Sequence, residues 1–488
     1  MRWASAAPSP ARLHRHGRAF ERWPRPEAGV RRFRPFAGGH CRSAFRKRPR
    51  SAVVRRRAIR RVRSDHEAGP GWPRPPTQKD IAMKHRMPRP ALDGLRVFDL
   101  SQGVAGPYCT LLMAAQGADV IKVEPPEGDW IRHGRNRVRG HSPASLAVNA
   151  GKRSLALDLK QAAAREAALA VAASCDIVVE SFRPGVAARL GLGDTALRAL
   201  NPELVYCSIS GFGSQGALAG RAVIDHIAQA YSGWMNINAD ADGVPRRTRN
   251  VVLADQITGL YAYQAVASAL IGRLRFGGGV SLEVTLAGAM AAFLAPRITS
   301  HLLSDGRVGN AEFLPPTGEF ETADGLLTLA VLKPGDVDRL FEALGCAAWL
   351  DDPRFATPQA RLENVADLNQ AVGAVLATRS ARQWESALAD RGVMACAVRD
   401  IGGFVASQAE DGLGLVETTT VPGLGDCPLV RIPGAPAWTG REPPARPPEL
   451  GEHGRQILEQ AGVPAAQIDL VLRQSHDSKN PFITRAPS

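Results

Sequence analysis

The sequence has no Cys-x-x-Cys pair and no His-Glu-x-x-His, although it holds seven cysteines and 11 histidines. The cysteines (Cys41, Cys109, Cys175, Cys207, Cys346, Cys396, Cys427) are odd in number and scattered. They read as reduced, mostly buried thiols, and no metal site follows from them. Runs of about 18 or more apolar residues are also missing, so no membrane span is expected. A basic excess is missing too, outside one segment. Residues 1–86 hold 24 Lys and Arg against 5 Asp and Glu, and residues 87–488 carry a net −5 within the overall +14. The body of the chain therefore lacks the electrostatic footprint of a nucleic-acid or anionic-membrane partner.

The basic segment, residues 1–86, is rich in Arg and Pro and has no sustained apolar period, so it is not expected to fold alone. It has three readings: a disordered basic arm, a mitochondrial-type transit peptide, or sequence upstream of a true start at Met83 or Met87. The third is favoured, because Met87-Pro-Arg-Pro-Ala-Leu-Asp-Gly-Leu-Arg-Val leads straight into ordered-looking sequence, and dense proline opposes a transit helix. A cytoplasmic protein follows from that reading and a mitochondrial one from the second. The mass of the native protein decides between them.

From Leu95 the pattern alternates. A short strand at Leu95–Leu100 passes through Ser101-Gln-Gly-Val-Ala-Gly-Pro107 into a helix closed by Gly117, and Ala118–Glu124 is the next strand. Ser154–Leu159, Asp176–Glu180, Leu204–Ser210 and Val280–Thr285 read as further strands, with an Ala-rich helix from Lys160 to about Ser174. This succession predicts an α/β fold, a doubly wound Rossmann-like large domain built on a parallel sheet. The predicted boundaries are 87–300 for that domain, 301–415 for a smaller α/β domain opened by a hairpin with Asp324-Gly325 at its turn, and 416–474 for a segment returning to the first. Residues 475–488 read as a loose tail. In a doubly wound sheet ligands sit beyond the carboxyl ends of the strands, which gathers Gln102, Ser181, Phe182, Ser210, Gly211 and Asp255.

Several residues carry chemistry in this arrangement. Glu124 lies 21 residues after Gly103, the spacing of a dinucleotide fingerprint, but Gly103-Val-Ala-Gly106-Pro107 is not Gly-x-Gly-x-x-Gly, so a nicotinamide or flavin site is poorly supported. The loop 127–142 presents Arg132, Arg135, Arg137 and Arg139, either as a solvated surface or as phosphate contacts. In Arg249-Asn-Val-Val-Leu-Ala-Asp-Gln-Ile-Thr-Gly259 the four residues before Asp255 read as a buried strand and those after it as a helix. Asp255 then stands at a helix N-terminus, as an N-cap or as an ionised carboxylate nucleophile. The two roles are compatible.

With these segments placed, the chain resembles the family III CoA-transferases, the group of formyl-CoA, carnitine-CoA and succinyl-CoA-dependent enzymes. The matching stretches are Asp99–Pro107 with Gly117–Glu124, Lys152–Lys160, Val179–Gly185, and Asn201–Tyr206 with Ser208–Gly213. The resemblance covers about Ala91 to Leu472. It implies an interlocked homodimer, an acyl-CoA and a carboxylic acid as substrates, and no resident cofactor or metal. It places the catalytic aspartate at Asp255 and CoA contacts at Gln102, Val104, Ala105, Leu157, Lys160, Ser181, Phe182 and Arg189. On their own terms Leu157 and Ala105 also read as core, and Lys160 and Arg189 as surface charges. The implied chemistry is transfer of CoA through an aspartyl anhydride and an aspartyl-CoA thioester, with backbone N–H groups near Gly259 or the Gly211–Gly213 turn facing the oxyanions.

Two departures bear on substrate. Asn310–Gly318 lacks the glycine run of formyl-CoA transferases, and Val104 stands where they carry Gln, so an acid larger than formate or oxalate is expected. On the same fold, 2-methylacyl-CoA racemases shift a proton, using a His just before the residue matching Asp225. Ile224 occupies that place here, which leaves the racemase as the alternative and assigns Asp225 to capping the helix from His226 to Ser232. A catalytically inactive CoA-binding protein is the third reading.

Overall fold

Parallel pairing organises the chain. In the computed structural model, which describes residues 89–240, 242–306, 314–442 and 444–477, strands β1 (Arg96–Leu100), β2 (Asp119–Glu124), β3 (Arg153–Ala156), β4 (Ile177–Glu180), β5 (Val205–Ser210) and β6 (Val280–Thr285) form one sheet. Its order is β3-β2-β1-β4-β5-β6, and every neighbouring pair is parallel. The predicted mixed α/β fold with a parallel sheet is therefore present. The order reverses between β1 and β4, the switch point beyond which a doubly wound sheet places its ligand crevice. The basic segment 1–86 lies outside the described residues.

Both faces of the sheet are covered, so β1, β2, β4 and β5 are buried on both sides and read mostly apolar instead of alternating. Val97, Ile177, Val179, Val205 and Cys207 pack on one face against helices α1 (Ala105–Ala115), α2 (Leu253–Phe276) and α3 (Leu286–Phe293). Their alternates Phe98, Val178 and Tyr206 pack on the other face, against the Ala-rich helix Ala162–Ala173 and against Ile457, Ile468 and Val471 of the C-terminal helices. All described residues lie in one compact unit, residues 76–488.

A separate three-stranded antiparallel sheet follows, from β7 (Leu314–Glu321), β8 (Leu326–Val331) and β9 (Met394–Ala397). Its core is aromatic, with Phe341, Phe355 and Trp384 fully buried. A last hairpin, β10 (Val416–Val421) with β11 (Gly425–Val430), packs Val421, Cys427 and Leu429 with Leu111 and Ala115 of α1. That hairpin has no counterpart among the elements expected from sequence.

Candidate active site

The loop after β1 is fixed by a buried ionic network that the sequence pattern did not reveal. Asp99 is fully buried and accepts from Ser101 N (3.0 Å), Ser101 Oγ, Thr110 Oγ1 (2.6 Å) and Lys152 Nζ (3.1 Å). Burial alone would raise its carboxyl, but the Lys152 and Lys122 charges and the hydroxyl donors overcome this and bring it down to about 2. Burial, followed by repulsion from Lys122, pushes Lys152 down to about 8 against the pull of Asp99, so both partners remain charged at neutral pH. Lys122 donates to the Ser101 carbonyl and to Asp129 (3.0 Å). Asp129 in turn accepts from Gly103 N (3.1 Å to each oxygen) and Ile131 N (3.2 Å). Residues 101–103 are thereby held from below by buried, paired charges.

Gly103 has φ +79°, and a Cβ there would lie 2.6 Å from the Trp130 ring, so only glycine passes this turn. Across the crevice, Gln102 N donates to Ser181 Oγ at 2.9 Å, which ties the loop after β1 to the loop after β4. Phe182 follows, half-buried, with its N–H on the Glu180 carboxylate at 2.8 Å. The predicted residues Gln102, Val104, Ala105, Ser181 and Phe182 thus come together at the switch point. Leu157 lies fully buried in the core that Phe182 also packs against. Lys160 and Arg189 are exposed.

Asp255 reaches this crevice by close helix packing. At Gly259, one turn beyond it on α2, a Cβ would fall 2.6 Å from the Ala105 carbonyl oxygen and 3.2 Å from Cys109 N. The absent side chain lets α2 cross α1 beside the switch-point loop, and that packing demand is sufficient to account for glycine at this position. Gly211 is likewise required by Val223, which a Cβ would meet at 2.5 Å. Just before α2, Val252 packs with Val104, Ile131 and Val148.

Three sequence expectations are corrected here. Residues 251–254 are not a strand: Val251 is exposed, and Leu253 and Ala254 already belong to α2, so Asp255 sits within the first helical turn and is not the N-cap. Asp225 does not cap its own helix (Asp225–Tyr231), whose N-cap Ile224 makes no side-chain bond. Instead its Oδ1 accepts from Ala254 N at 2.7 Å and Asp255 N at 3.4 Å, capping α2 from 30 residues away. Nor is the Asp255 carboxylate held ionised by helix donors. No donor among the described residues reaches it, and burial first, then the Asp225 charge, push it up to about 7.

The cationic loop is also less free than it read. Arg132 grips Glu124 with two bonds (2.6 and 2.8 Å), and Arg139 and Arg137 donate to the carbonyls of Leu424 and Arg132. Glu124 additionally accepts from Ser154 Oγ (2.9 Å) and Asp129 N (3.1 Å), so it has no capacity left for a ribose. Arg135 alone of the four is exposed and without a partner among the described residues. Asn310–Phe313, part of the stretch compared with the glycine lid, lie outside those residues. A cavity of about 1270 Å³ opens at the opposite, amino ends of β2 and β3, beside Asp119, Arg153 and Arg446. Arg153 is already paired with Asp119 and Arg446 with Glu452, and the cavity holds none of the predicted site residues.

Known proteins agree with this architecture. The family model of CoA-transferase family III matches residues 92–454. A succinate–glutarate CoA-transferase of Agrobacterium fabrum is 35% identical over 76% of this chain and 95% of its own length. A succinyl-CoA:glutarate CoA-transferase of Mus musculus is 30% identical over 76% and 86%. Among solved structures, a CAIB/BAIF family protein from Brucella suis superposes with a TM-score of 0.68 at 33% identity, covering 76% of this chain and all of that one. With the parallel sheet, its switch-point crevice and the profile in accord, the chain belongs to CoA-transferase family III, and it is an enzyme that transfers CoA.

Proposed function

We propose that the enzyme moves CoA from an acyl-CoA to a carboxylic acid through covalent catalysis by Asp255. The observation that carries this is a carboxylate with no donor of its own beside the switch-point crevice. A carboxylate so placed is a nucleophile without competing hydrogen bonds. An Asp255 oxygen attacks the thioester carbonyl, the C–S bond breaks, and CoA leaves as thiolate from a mixed anhydride. The thiolate attacks the Asp255 carboxyl carbon, the anhydride C–O bond breaks, and the donor acid departs from an aspartyl-CoA thioester. The acceptor carboxylate repeats the first step on that thioester, and the returning thiolate takes the acceptor's acyl group and frees Asp255. One thioester is exchanged for another, so neither a metal nor ATP is required.

Gln102, Val104, Ala105, Ser181 and Phe182 would line the CoA, with Lys160 and Arg189 as exposed cations for its phosphates. Relatives are named for succinate, glutarate, mesaconate and oxalate. Dicarboxylic acids of four or five carbons are the acceptors we favour, in keeping with the absent glutamine at Val104. A homodimer is supported by Ile271, Leu274 and Phe276 at the end of α2 and by Leu302 and Leu303, all exposed, with Leu274 and Leu303 each at 84%. Light scattering reads that state directly. A cytoplasmic location goes with the late-start reading.

The test is to incubate the protein with succinyl-CoA and hydroxylamine or borohydride and map the modified peptide. Capture on the peptide holding Asp255 is expected. Entry of solvent deuterium at the α-carbon of a 2-methylacyl-CoA without capture would replace this reading by the racemase.

A further inference from the structure

The bond from Asp225 to the start of α2 is the end of a longer relay. Trp234 Nε1 donates to Thr248 Oγ1 at 2.8 Å, and Thr248 N donates to Gln229 Oε1 at 2.9 Å. Gln229 Nε2 donates to Asp225 Oδ2 at 2.6 Å, and Asp225 Oδ1 takes Ala254 N and Asp255 N. Gln229 is 0% exposed and Asp225 3%. Each member has its amide or carboxylate orientation fixed by the next, so the relay is a rigid strut between the helix Asp225–Tyr231, the loop before α2, and the first turn of α2.

The first N–H groups of a helix go to an N-cap side chain, to water or to a carboxylate of the first turn, and a carboxylate that takes them has its basicity lowered and its oxygens turned inward. Asp255 occupies such a position and has no such bond. The donors it would take are occupied by another carboxylate, brought from outside the helix.

We propose that Asp225, held by Gln229, is the positioning residue of the Asp255 nucleophile: it takes the leading N–H groups of α2 and so leaves the Asp255 carboxylate bare for attack on carbon. This rests on Asp255 being the nucleophile. The groups that face the relay and could confuse its titration are few. His226 Nε2 lies 3.9 Å from Asp225 Oδ2, with Arg247 Nη1 2.8 Å from that nitrogen. From α1, Tyr108 and Cys109 come against Gly259, and burial raises both, so they stay neutral through the range of interest. Helix α3 (Leu-Ala-Gly-Ala-Met-Ala-Ala-Phe) brings no titratable side chain.

Two variants separate this role from mere structural support. Asp225→Asn keeps an oxygen for the N–H groups but removes the charge. The acid limb of kcat/KM should then move down by about one pH unit, with the plateau kcat within about threefold of the parent. Asp225→Ala returns the N–H groups to Asp255. The limb should move down as well, and the plateau kcat should fall about 10- to 100-fold because the nucleophile is turned toward its own helix, with KM for acyl-CoA nearly unchanged. Titration of the Asp255 carboxyl by 13C NMR in both folded variants gives the same information without turnover. Failure of the wild-type protein to form a covalent adduct would remove the transferase chemistry, whereas the carboxyl titration tests the hold of Asp225 on Asp255 independently of it. A limb and a carboxyl titration that stay in place in both variants, or equal kcat losses in Asn and Ala, overturn the proposal.

Discussion

Asp99 and Asp255 are the same residue type, the first fully buried in the parallel sheet and the second partly buried on a helix packed against it, yet the first is brought down to about 2 and the second pushed up to about 7. Burial acts on both in the same direction, and the difference is donors. Asp99 receives an N–H, two hydroxyls and an ammonium. Asp255 receives none among the described residues, and a second carboxylate faces it. A buried carboxylate with all its partners is scaffold, because any change in its protonation breaks several bonds. One with none is reactive, and it costs the fold something to keep it.

Replacing the bare carboxylate gives the largest expected effect. On the proposed mechanism, Asp255→Asn should reduce CoA transfer by about a thousandfold or more, since the variant could not form the aspartyl thioester. Free CoA should bind as before by calorimetry. Stability should move the other way. The unfolded carboxyl ionises near its ordinary value, so stability falls as pH rises from there to about 7 and stays low above that. Denaturant unfolding at pH 8 should therefore find the Asn variant more stable by about 2 kcal/mol. An equally active variant, or one that is less stable at pH 8, would break the contrast with Asp99.

The complementary experiment attacks the satisfied cluster. Asp129→Ala removes the carboxylate that the fully buried Lys122 bonds, leaving it the Ser101 carbonyl, and leaves Gly103 N unpaired, and breaking such a buried pair costs about 3–5 kcal/mol. Urea unfolding should show that loss at neutral pH. In the folded fraction KM for acyl-CoA should rise, because the loop carrying Gln102 has lost its anchor. Unchanged stability would mean that the network is not what fixes the loop.

The pH profile tests the bare carboxylate in the intact enzyme. With ionised Asp255 as the nucleophile, kcat/KM of the free enzyme should be flat above about pH 7 and fall about tenfold per unit below it. Asp99, at about 2, should contribute nothing in that range. A limb near the ordinary carboxylate value would show that Asp255 has a donor in solution.

Why the sequence disclosed one of these aspartates and concealed the other follows from range. The parallel strands were legible because Val97-Phe98, Val120-Ile121 and Ile177–Val179 are apolar on both faces, and that requirement is local. The helix after Asp255 was legible for the same reason. Its start was not, since Val251-Val-Leu-Ala254 has strand-like composition and only tertiary contact decides: Val252 is drawn to Val104 and Ile131, and the helix begins under Asp225. That cap comes from 30 residues away and has no local signature. The lysines 122 and 152 read as ordinary motif residues because a pairing across 7 or 53 positions leaves no periodicity. Hairpin β10–β11 did have a signal, the β-branched residues of Val416-Glu-Thr-Thr-Thr-Val421 before Gly423, which the surrounding proline obscured.

The smallest effect expected lies at the rim of the network and shows how far pairing extends its influence. Arg132 is 17% exposed and makes two parallel bonds to Glu124, so Arg132→Lys keeps the charge and removes the fork. Glu124 still has Ser154 Oγ and Asp129 N. It therefore keeps more of its bonds than Lys122 does in Asp129→Ala, and the loss should be about 1 kcal/mol. KM for acyl-CoA should not change, because a guanidinium committed to Glu124 is not a phosphate ligand. Arg135→Ala, which removes an uncommitted cation of the same loop, should leave the unfolding midpoint unmoved and reveal any phosphate contact as a rise in KM alone. A KM change in Arg132→Lys without a stability change would reverse that assignment and place Arg132 with the site instead of the scaffold.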